Sequence, residues 1–326
     1  MPESAPQRSR VLDVVSVVVL LAAIAGLALR FGPARMKVQA ANLYVIVAGD
    51  AVGCTIEDVW NPLDADLYAA GKDLMNRIER VDSEGGLSNW STPFGEFWTP
   101  PGNDLLILLA EYAVDVYGVE SPLFQEGDVV MDLGANIGSF SRRAFDAGAA
   151  KVIAVEPSPL NIAALKKNFE KEIADGRFVL IPKAVWNEPG EMILNVYELS
   201  VLDSLVMQER HEAPVKKRHP VELVTVDSIV EELGLERLDF IKMDIEGAER
   251  QAIEGAAETL RRFRPRMAIA AENLPDDVEA VPAAVLAAAP DYQYENGRCL
   301  AIRDGMLRPE AIRFSPPPEF RARKSE

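Results

Sequence analysis

Val129-Val-Met-Asp-Leu-Gly-Ala-Asn-Ile-Gly-Ser-Phe140 is the stretch that decides the fold. Val129, Val130 and Met131 read as a short buried strand, Asp132 as an acid at its end, and Gly134 and Gly138 as a tight turn into a helix over residues 139–147. A strand feeding a glycine turn at a helix N-terminus has the geometry of a nucleotide-type site. Small residues let a ligand approach the backbone, and the first-turn N–H groups and the helix dipole favour negative charge. Asn136 stands where a third glycine is expected, and Asn tolerates left-handed backbone angles well for a residue with a side chain. Next comes Val152-Ile-Ala-Val-Glu-Pro157, a second apolar strand ending on Glu156, 22 residues beyond Gly134. A carboxylate at that tip is placed to accept hydrogen bonds from both hydroxyls of a ribose, a sharper role than that of a solvated strand-end acid.

Composition narrows the partners. The chain has 326 residues, room for a sizeable core in one large or two modest domains. Its net charge of −17 argues against nucleic acid, which requires clustered Lys and Arg, and against electrostatic docking on anionic lipid. The two cysteines, Cys54 and Cys299, stand far apart with no ligand spacing, so neither a metal site nor a disulfide framework is expected. The two histidines, His211 and His219, sit in no supporting motif and read as surface or structural residues.

Residues 1–10 are polar and read as disordered. Residues 11–29 are almost unbroken apolar sequence, long enough at 1.5 Å per residue to cross a bilayer core and long for a signal peptide, so a transmembrane helix is expected there. Arg30, Arg35 and Lys37 follow it against Arg8 and Arg10 before it, a slight bias that puts the following domain in the cytoplasm. A linker over 30–60 leads to a helical N-terminal extension over 61–120, in which Leu63, Leu67, Ala70, Leu74, Ile78 and Val81 recur at helical spacing. Residues 83–103, with Trp90, Phe94, Phe97 and Trp98, either line an acceptor pocket or pack against the domain.

The main domain spans 121–308. Strands are expected at 178–185, 192–198, 221–226, 239–245 and 266–271. Helices are expected at 159–172, 228–233 with Asp227 as cap, 247–263 and 281–289. Asn296-Gly297 signals a hairpin between 292–295 and 299–303, and 309–326 reads as a disordered tail. Strands alternating with helices mean an open α/β sheet, in which ligands bind beyond the strand C-termini. Asp132, Glu156 and Asp244 all lie at such ends. Three acids there suit a ligand with cationic and hydroxyl groups and would repel a bare polyphosphate. The turn Gly134-Ala-Asn-Ile-Gly138 also falls short of the GxGxxG spacing of a nicotinamide enzyme.

The motifs MDLGANIGSF, VIAVEPSPLN, IPKAVWN, DFIKMDIEGAE and RPRMAIAAEN, in that order over roughly residues 90–275, resemble the FkbM-type branch of the class I S-adenosylmethionine-dependent methyltransferases. The resemblance implies a Rossmann-like, mostly parallel seven-stranded sheet with a C-terminal antiparallel hairpin. It implies S-adenosylmethionine as cofactor, with Asp132, Gly134, Ala135, Asn136 and Gly138 around its methionine part and Glu156, Pro157 and Ser158 at the ribose. Lys183 and Ala184 would flank the adenine, and Asp244 would sit near the sulfonium. Asn187 stands where relatives commonly carry an acid, a departure from the family pattern at the position expected to meet the adenine amine.

Methyl transfer is a direct displacement that needs alignment and, for a hydroxyl acceptor, a carboxylate to take its proton. Asp244, Glu246 and Glu272 are the candidates, with Glu246 and Glu249 alternatively serving only a helix N-terminus. The expectation is a membrane-tethered O-methyltransferase acting on a hydroxyl of a sugar, glycolipid, lipid or secondary metabolite. The rival is a tethered, non-catalytic binding protein that keeps the fold.

Overall fold

The computed structural model describes residues 33–120, 123–197, 203–206, 215–301, 305–318 and 320. The apolar run at 11–29, His211 and, of the expected tail, residues 319 and 321–326 lie outside these residues. The start of that tail is not disordered, since 311–315 form a strand inside the main sheet with Ala311, Ile312 and Phe314 buried. Among the described residues no helix is long and apolar enough to cross a membrane.

Helix α1 (Ala34–Ala48) leads to α2 (Ile56–Trp60), which Thr55 and Asp58 start with a reciprocal capping box, and to α3 (Leu63–Met75) directly after Pro62. The helical periodicity runs on past the helix itself. After Asn76 the chain becomes strand β1 (Glu79–Glu84), followed by β2 (Leu87–Thr92) and β3 (Gly95–Thr99) in an antiparallel meander. The extension is therefore part sheet. Leu87, Trp90, Phe97 and Trp98 pack with Leu105, Leu109 and Ala164, so the aromatic segment closes a hydrophobic cluster against the domain. Helix α4 (Leu105–Val114) follows, capped by Asp104.

The main domain alternates β4 (Val129–Leu133), α5 (Ser139–Asp146), β5 (Lys151–Val155), α6 (Pro159–Asn168), α7 (Glu170–Ala174) and β6 (Phe178–Ile181). It continues through β7 (Ala184–Val185), β8 (Gly190–Val196), β9 (Lys217–Val224), α8 (Val226–Glu232), β10 (Phe240–Met243), α9 (Glu249–Glu254), α10 (Ala257–Phe263), β11 (Arg266–Ala270) and α11 (Asp277–Ala288). It closes with β12 (Gln293–Asn296), β13 (Cys299–Ala301), β14 (Leu307–Pro309) and β15 (Ala311–Ser315). Seven strands form one sheet in the order β12-β15-β11-β10-β4-β5-β6, in which β15 alone runs against the others. Strands β4, β5, β10 and β11 are buried almost end to end, because helices cover both faces. The order reverses beside β4, which places a crevice where β4 and β10 end together.

Four expectations are corrected. The strand read at 178–185 breaks at Pro182: β6 stays in the main sheet while β7 joins β8 and β9 in a separate three-stranded sheet. The Asn-Gly pair is not a two-residue hairpin. β12 pairs with β15, and β13 pairs with β14. Gly297 is small because its N–H bonds the Ala311 carbonyl at 2.8 Å, where a Cβ would lie 2.5 Å from that oxygen. Thr225, not Asp227, caps α8, while both carboxylate oxygens of Asp227 accept N–H groups of Glu258 and Thr259 at the start of α10. Finally, Cys54 and Cys299 form a disulfide with Cα atoms 6.1 Å apart, across 245 residues. Main-chain pairing of Ala51 with Leu307, and of Val52 and Asp50 with Leu307, brings the two cysteines together, which no sequence spacing reveals.

Candidate functional site

The glycine turn after β4 is held from three sides. Gly134 and Ala135 donate their N–H groups to the Val155 carbonyl at 3.0 and 3.2 Å, and Asp244 N–H bonds the Leu133 carbonyl at 3.1 Å. Gly134 has φ +78°, and a Cβ on it would meet the Asp244 carbonyl oxygen at 1.9 Å. Asn136 takes the left-handed conformation with φ 50° that its residue type suits.

Glu156 stands at the tip of β5. One carboxylate oxygen accepts the Asn136 N–H at 2.8 Å; the other accepts the Ser158 N–H at 2.8 Å and the Asn161 amide at 3.4 Å. Burial raises its pKa to about 7 against the lowering effect of those donors. The loops meet around a cavity of ≈ 370 Å³, within the range of a small-ligand site. Gly134, Ala135, Asn136, Glu156, Pro157, Lys183, Ala184, Asp244, Glu246 and Glu272 all line it, so most of the expected site residues converge.

Three do not reach it. Asp132 is fully buried behind the turn, accepting from Ser141 at 2.6 Å and lying 3.5 Å from the Lys242 ammonium. Gly138 packs against the Phe169 ring, where a Cβ would lie at 2.2 Å, and Ser158 is buried beneath Glu156. Asn187 is also away from the cavity, its amide bonded to Glu254 at 2.8 Å. Glu246 lines the cavity in a left-handed conformation with φ 58°. It precedes α9 by three residues, so it is not a helix-start acid. That task belongs to Glu249, buried, accepting from Ile245 N–H at 2.9 Å and Asn273 at 3.1 Å.

Lys242, Tyr117, Glu111, Asp203 and Glu310 also line the cavity, and sequence reasoning gave none of them a role. Lys242 donates to the Gly134 carbonyl at 2.9 Å. Burial opposes its charge, but Asp132, Asp244 and Glu111 outweigh it and hold its pKa above the ordinary value. A lysine inside the apolar strand Phe240-Ile-Lys-Met243 was the available signal. Tyr117 donates to Asp244 at 2.8 Å. Burial and the nearby Asp244 raise the pKa of Glu111 to about 8, and burial with Glu272 beside it lifts Glu310 well above the usual range. Burial raises Asp203 to about 6.

The cavity thus has two halves: Glu156 with Asp203 toward β5 and β6, and Glu111, Glu272 and Glu310 toward α4 and β15. Asp244 belongs with the second half: it accepts from Tyr117, and its charge acts on Lys242 and Glu111. Its Oδ1 is buried with no hydrogen-bond partner among the described residues. Among the described residues, the one grouping of metal-ligand side chains is Cys54, Asp58 and Cys299, whose sulfurs are spent on the disulfide.

A family model, the methyltransferase FkbM domain, matches residues 132–295, half of the chain. The chain belongs to the FkbM methyltransferase family. It is 27% identical over 180 residues to the methyltransferase sdnD of Sordaria araneosa, covering 46% of this chain and 67% of that protein. It is 30% identical over 164 residues to the 2-O-methyltransferase NoeI of Sinorhizobium fredii, covering 45% and 64%. The chain therefore spans about two thirds of the length of these curated relatives. A solved structure of an FkbM methyltransferase from Methylobacillus flagellatus aligns with 18% identity and a TM-score of 0.45, over 64% of this chain and 53% of that one.

Proposed function

We infer that this chain transfers the methyl group of S-adenosylmethionine to a hydroxyl of a sugar, glycolipid, lipid or secondary metabolite. The observation that carries the reading is Glu156, a carboxylate fixed by the Asn136 and Ser158 N–H groups at the wall of an acid-lined cavity. Its oxygens suit the paired hydroxyls of a ribose. The turn at Gly134–Asn136 would take the methionine part, Lys183 and Ala184 would flank the adenine, and the unpartnered Oδ1 of Asp244 suits a cationic or hydroxyl group. When bound, the cofactor supplies a methyl group on a positively charged sulfur.

The chain's own contribution is then to align an acceptor and receive its proton. Glu246 and Glu272 remain candidates for the proton, and Glu111 joins them, because a carboxyl with pKa about 8 releases and takes up protons near neutrality. Gly134, Ala135, Asn136, Glu156 and Pro157 of the expected cofactor residues line the cavity, which weighs against a purely non-catalytic binding protein.

The tether belongs to the same proposal: residues 11–29 anchor the chain in a membrane, with the domain on the cytoplasmic side where the cofactor is. The Cys54–Cys299 disulfide stands against that orientation, because a reducing cytosol would keep the two thiols apart. Calorimetric titration of the full chain with S-adenosylmethionine and with S-adenosylhomocysteine tests the enzyme reading. Micromolar binding, lost in Glu156→Ala, is the expected result. A folded chain that binds neither compound would sink it.

A further inference from the structure

Among the described residues, seven of the fourteen large apolar side chains left exposed lie on helices α1–α3: Met36, Tyr44, Val47, Ile56, Trp60, Tyr68 and Met75. Tyr44 is 73% exposed and Trp60 69%. Helix geometry groups them. Met36 and Val47 are three turns apart on α1, Ile56 and Trp60 one turn apart on α2, and Tyr68 and Met75 two turns apart on α3. The three helices form one packed unit, in which Arg35 pairs with Asp66 at 2.6 Å, and Arg35 and Gln39 donate to the Trp60 carbonyl at 3.2 and 3.3 Å. Exposed large apolar side chains gathered on one packed unit in this way mark a contact with something else.

Chain length says what the contact is. The apolar run ends at Leu29 and α1 begins at Ala34. The four residues between them make five steps, which reach at most about 18 Å even when fully extended. With the run in a bilayer, α1 starts beside the headgroups and cannot be carried away from them. The exposed set is rich in Tyr and Trp, the residues whose ring is apolar at one end and polar at the other and which settle at the lipid–water boundary. Charge selects the lipid: Glu57, Asp58, Asp64, Asp66 and Asp73 outnumber Arg35, Lys37 and Lys72 on these helices, which gives no attraction to anionic headgroups.

We propose that α1–α3 form a platform seated on the surface of a zwitterionic phospholipid bilayer, with Tyr44, Trp60 and Tyr68 among the headgroups. The inference rests on the membrane tether proposed above. It has a consequence for the site, since α3 carries both Tyr68 on the platform and Leu67 in the cavity wall. The platform sets the height of the cavity above the lipid and brings its α3 side to membrane-borne acceptors.

The test uses the full chain reconstituted into phosphatidylcholine vesicles, with bromine atoms placed high on the acyl chains of a fraction of the lipid. Tryptophan emission should be quenched, and the quenched component should disappear in Trp60→Ser while cofactor affinity is unchanged. Loss of vesicle association after an alkaline carbonate wash would overturn the tether, and the platform with it. A chain that stays bound but whose Trp60 emission is unquenched would overturn the platform alone. Crosslinking of Trp60 neighbourhoods between two copies, without quenching, would assign the surface to self-association and overturn it equally.

Discussion

One carboxylate oxygen of Glu156 accepts the backbone N–H of Asn136 at 2.8 Å, so the acid of the second strand and the left-handed residue of the glycine turn fix each other. The same carboxyl is buried, and its pKa rises to about 7. The folded chain therefore holds a proton that the unfolded chain has already released above its ordinary value of 4.5. Stability of the free protein should fall as pH rises between these two values, because the folded state binds more protons there. Ribose hydroxyls donate to the ionised form. Cofactor affinity should thus climb with pH up to about 7 and level off above it, with proton release on binding below that point. Glu156→Gln should remove both the proton release and most of the affinity. Calorimetry in buffers of different ionisation enthalpy reads both, and an affinity that falls on raising the pH from 5.5 to 7 would contradict the assignment.

Gly134 and Gly176 share a φ of +78°, yet only Gly134 has a neighbour in the way of a Cβ, the Asp244 carbonyl oxygen at 1.9 Å. Gly176→Ala should cost only the left-handed penalty, about 1–2 kcal/mol. Gly134→Ala adds a backbone collision and should cost clearly more, while displacing the Asp244 loop and abolishing cofactor binding. Chemical denaturation of the two variants separates conformational strain from collision. Equal losses in the two would show that the β4 and β10 loops are free to part.

What the sequence made legible was whatever is built from neighbouring residues. Strand, turn, helix and acid tip follow one another between Val129 and Glu156, and local chemistry is enough to place Gly134, Asn136 and Glu156. Asp132 shows the limit of that reasoning: it sits at the right strand end but on the side that turns toward Ser141 and Lys242, and a strand's facing is set by its partners. Glu111, Tyr117 and Glu310 come from elements on either side of the family-matched residues and enter the cavity only through tertiary packing. Asp203 lies in a loop with no pattern to read. Asn296-Gly297 misled because a glycine needed for close backbone approach looks, in sequence, like one needed for a turn. Thr225 and Asp227 are both good caps, and only the packing of α8 beside α10 shows that each caps a different helix.

Lys242 is the buried cation of an acid-rich site, 3.5 Å from Asp132 and hydrogen-bonded to the Gly134 carbonyl. Lys242→Met keeps its length and removes the charge. Leaving buried acids without their cation costs about 3–5 kcal/mol, and the turn loses the donor that holds Gly134. Both stability and cofactor affinity should fall. Adding Asp132→Asn should restore part of the stability without restoring affinity, because the anion is relieved while the carbonyl contact stays lost. Denaturation midpoints of the single and double variants check this, and strictly additive losses would mean that the pair does not interact.

The Cys54–Cys299 disulfide closes a 245-residue separation, binding the stretch after α1 to β13, next to Leu300 and Ala301 in the cavity wall. Cross-linking so long a loop restricts the unfolded chain strongly, and the stabilisation expected on that ground is about 3–5 kcal/mol. Main-chain bonds between Asp50, Val52 and Leu307 and the bond from the Asn296 amide to the Gly53 carbonyl at 2.8 Å would still hold the two segments together after reduction. A reductant should therefore lower the denaturation midpoint of the oxidised protein without unfolding it. Cys299→Ser should match the reduced protein and respond to neither oxidant nor reductant. Thiol alkylation in intact cells adds the compartment: two reactive thiols place the domain in a reducing cytosol, whereas an intact bond places it across the membrane, away from the cofactor, and the cytoplasmic orientation would fall.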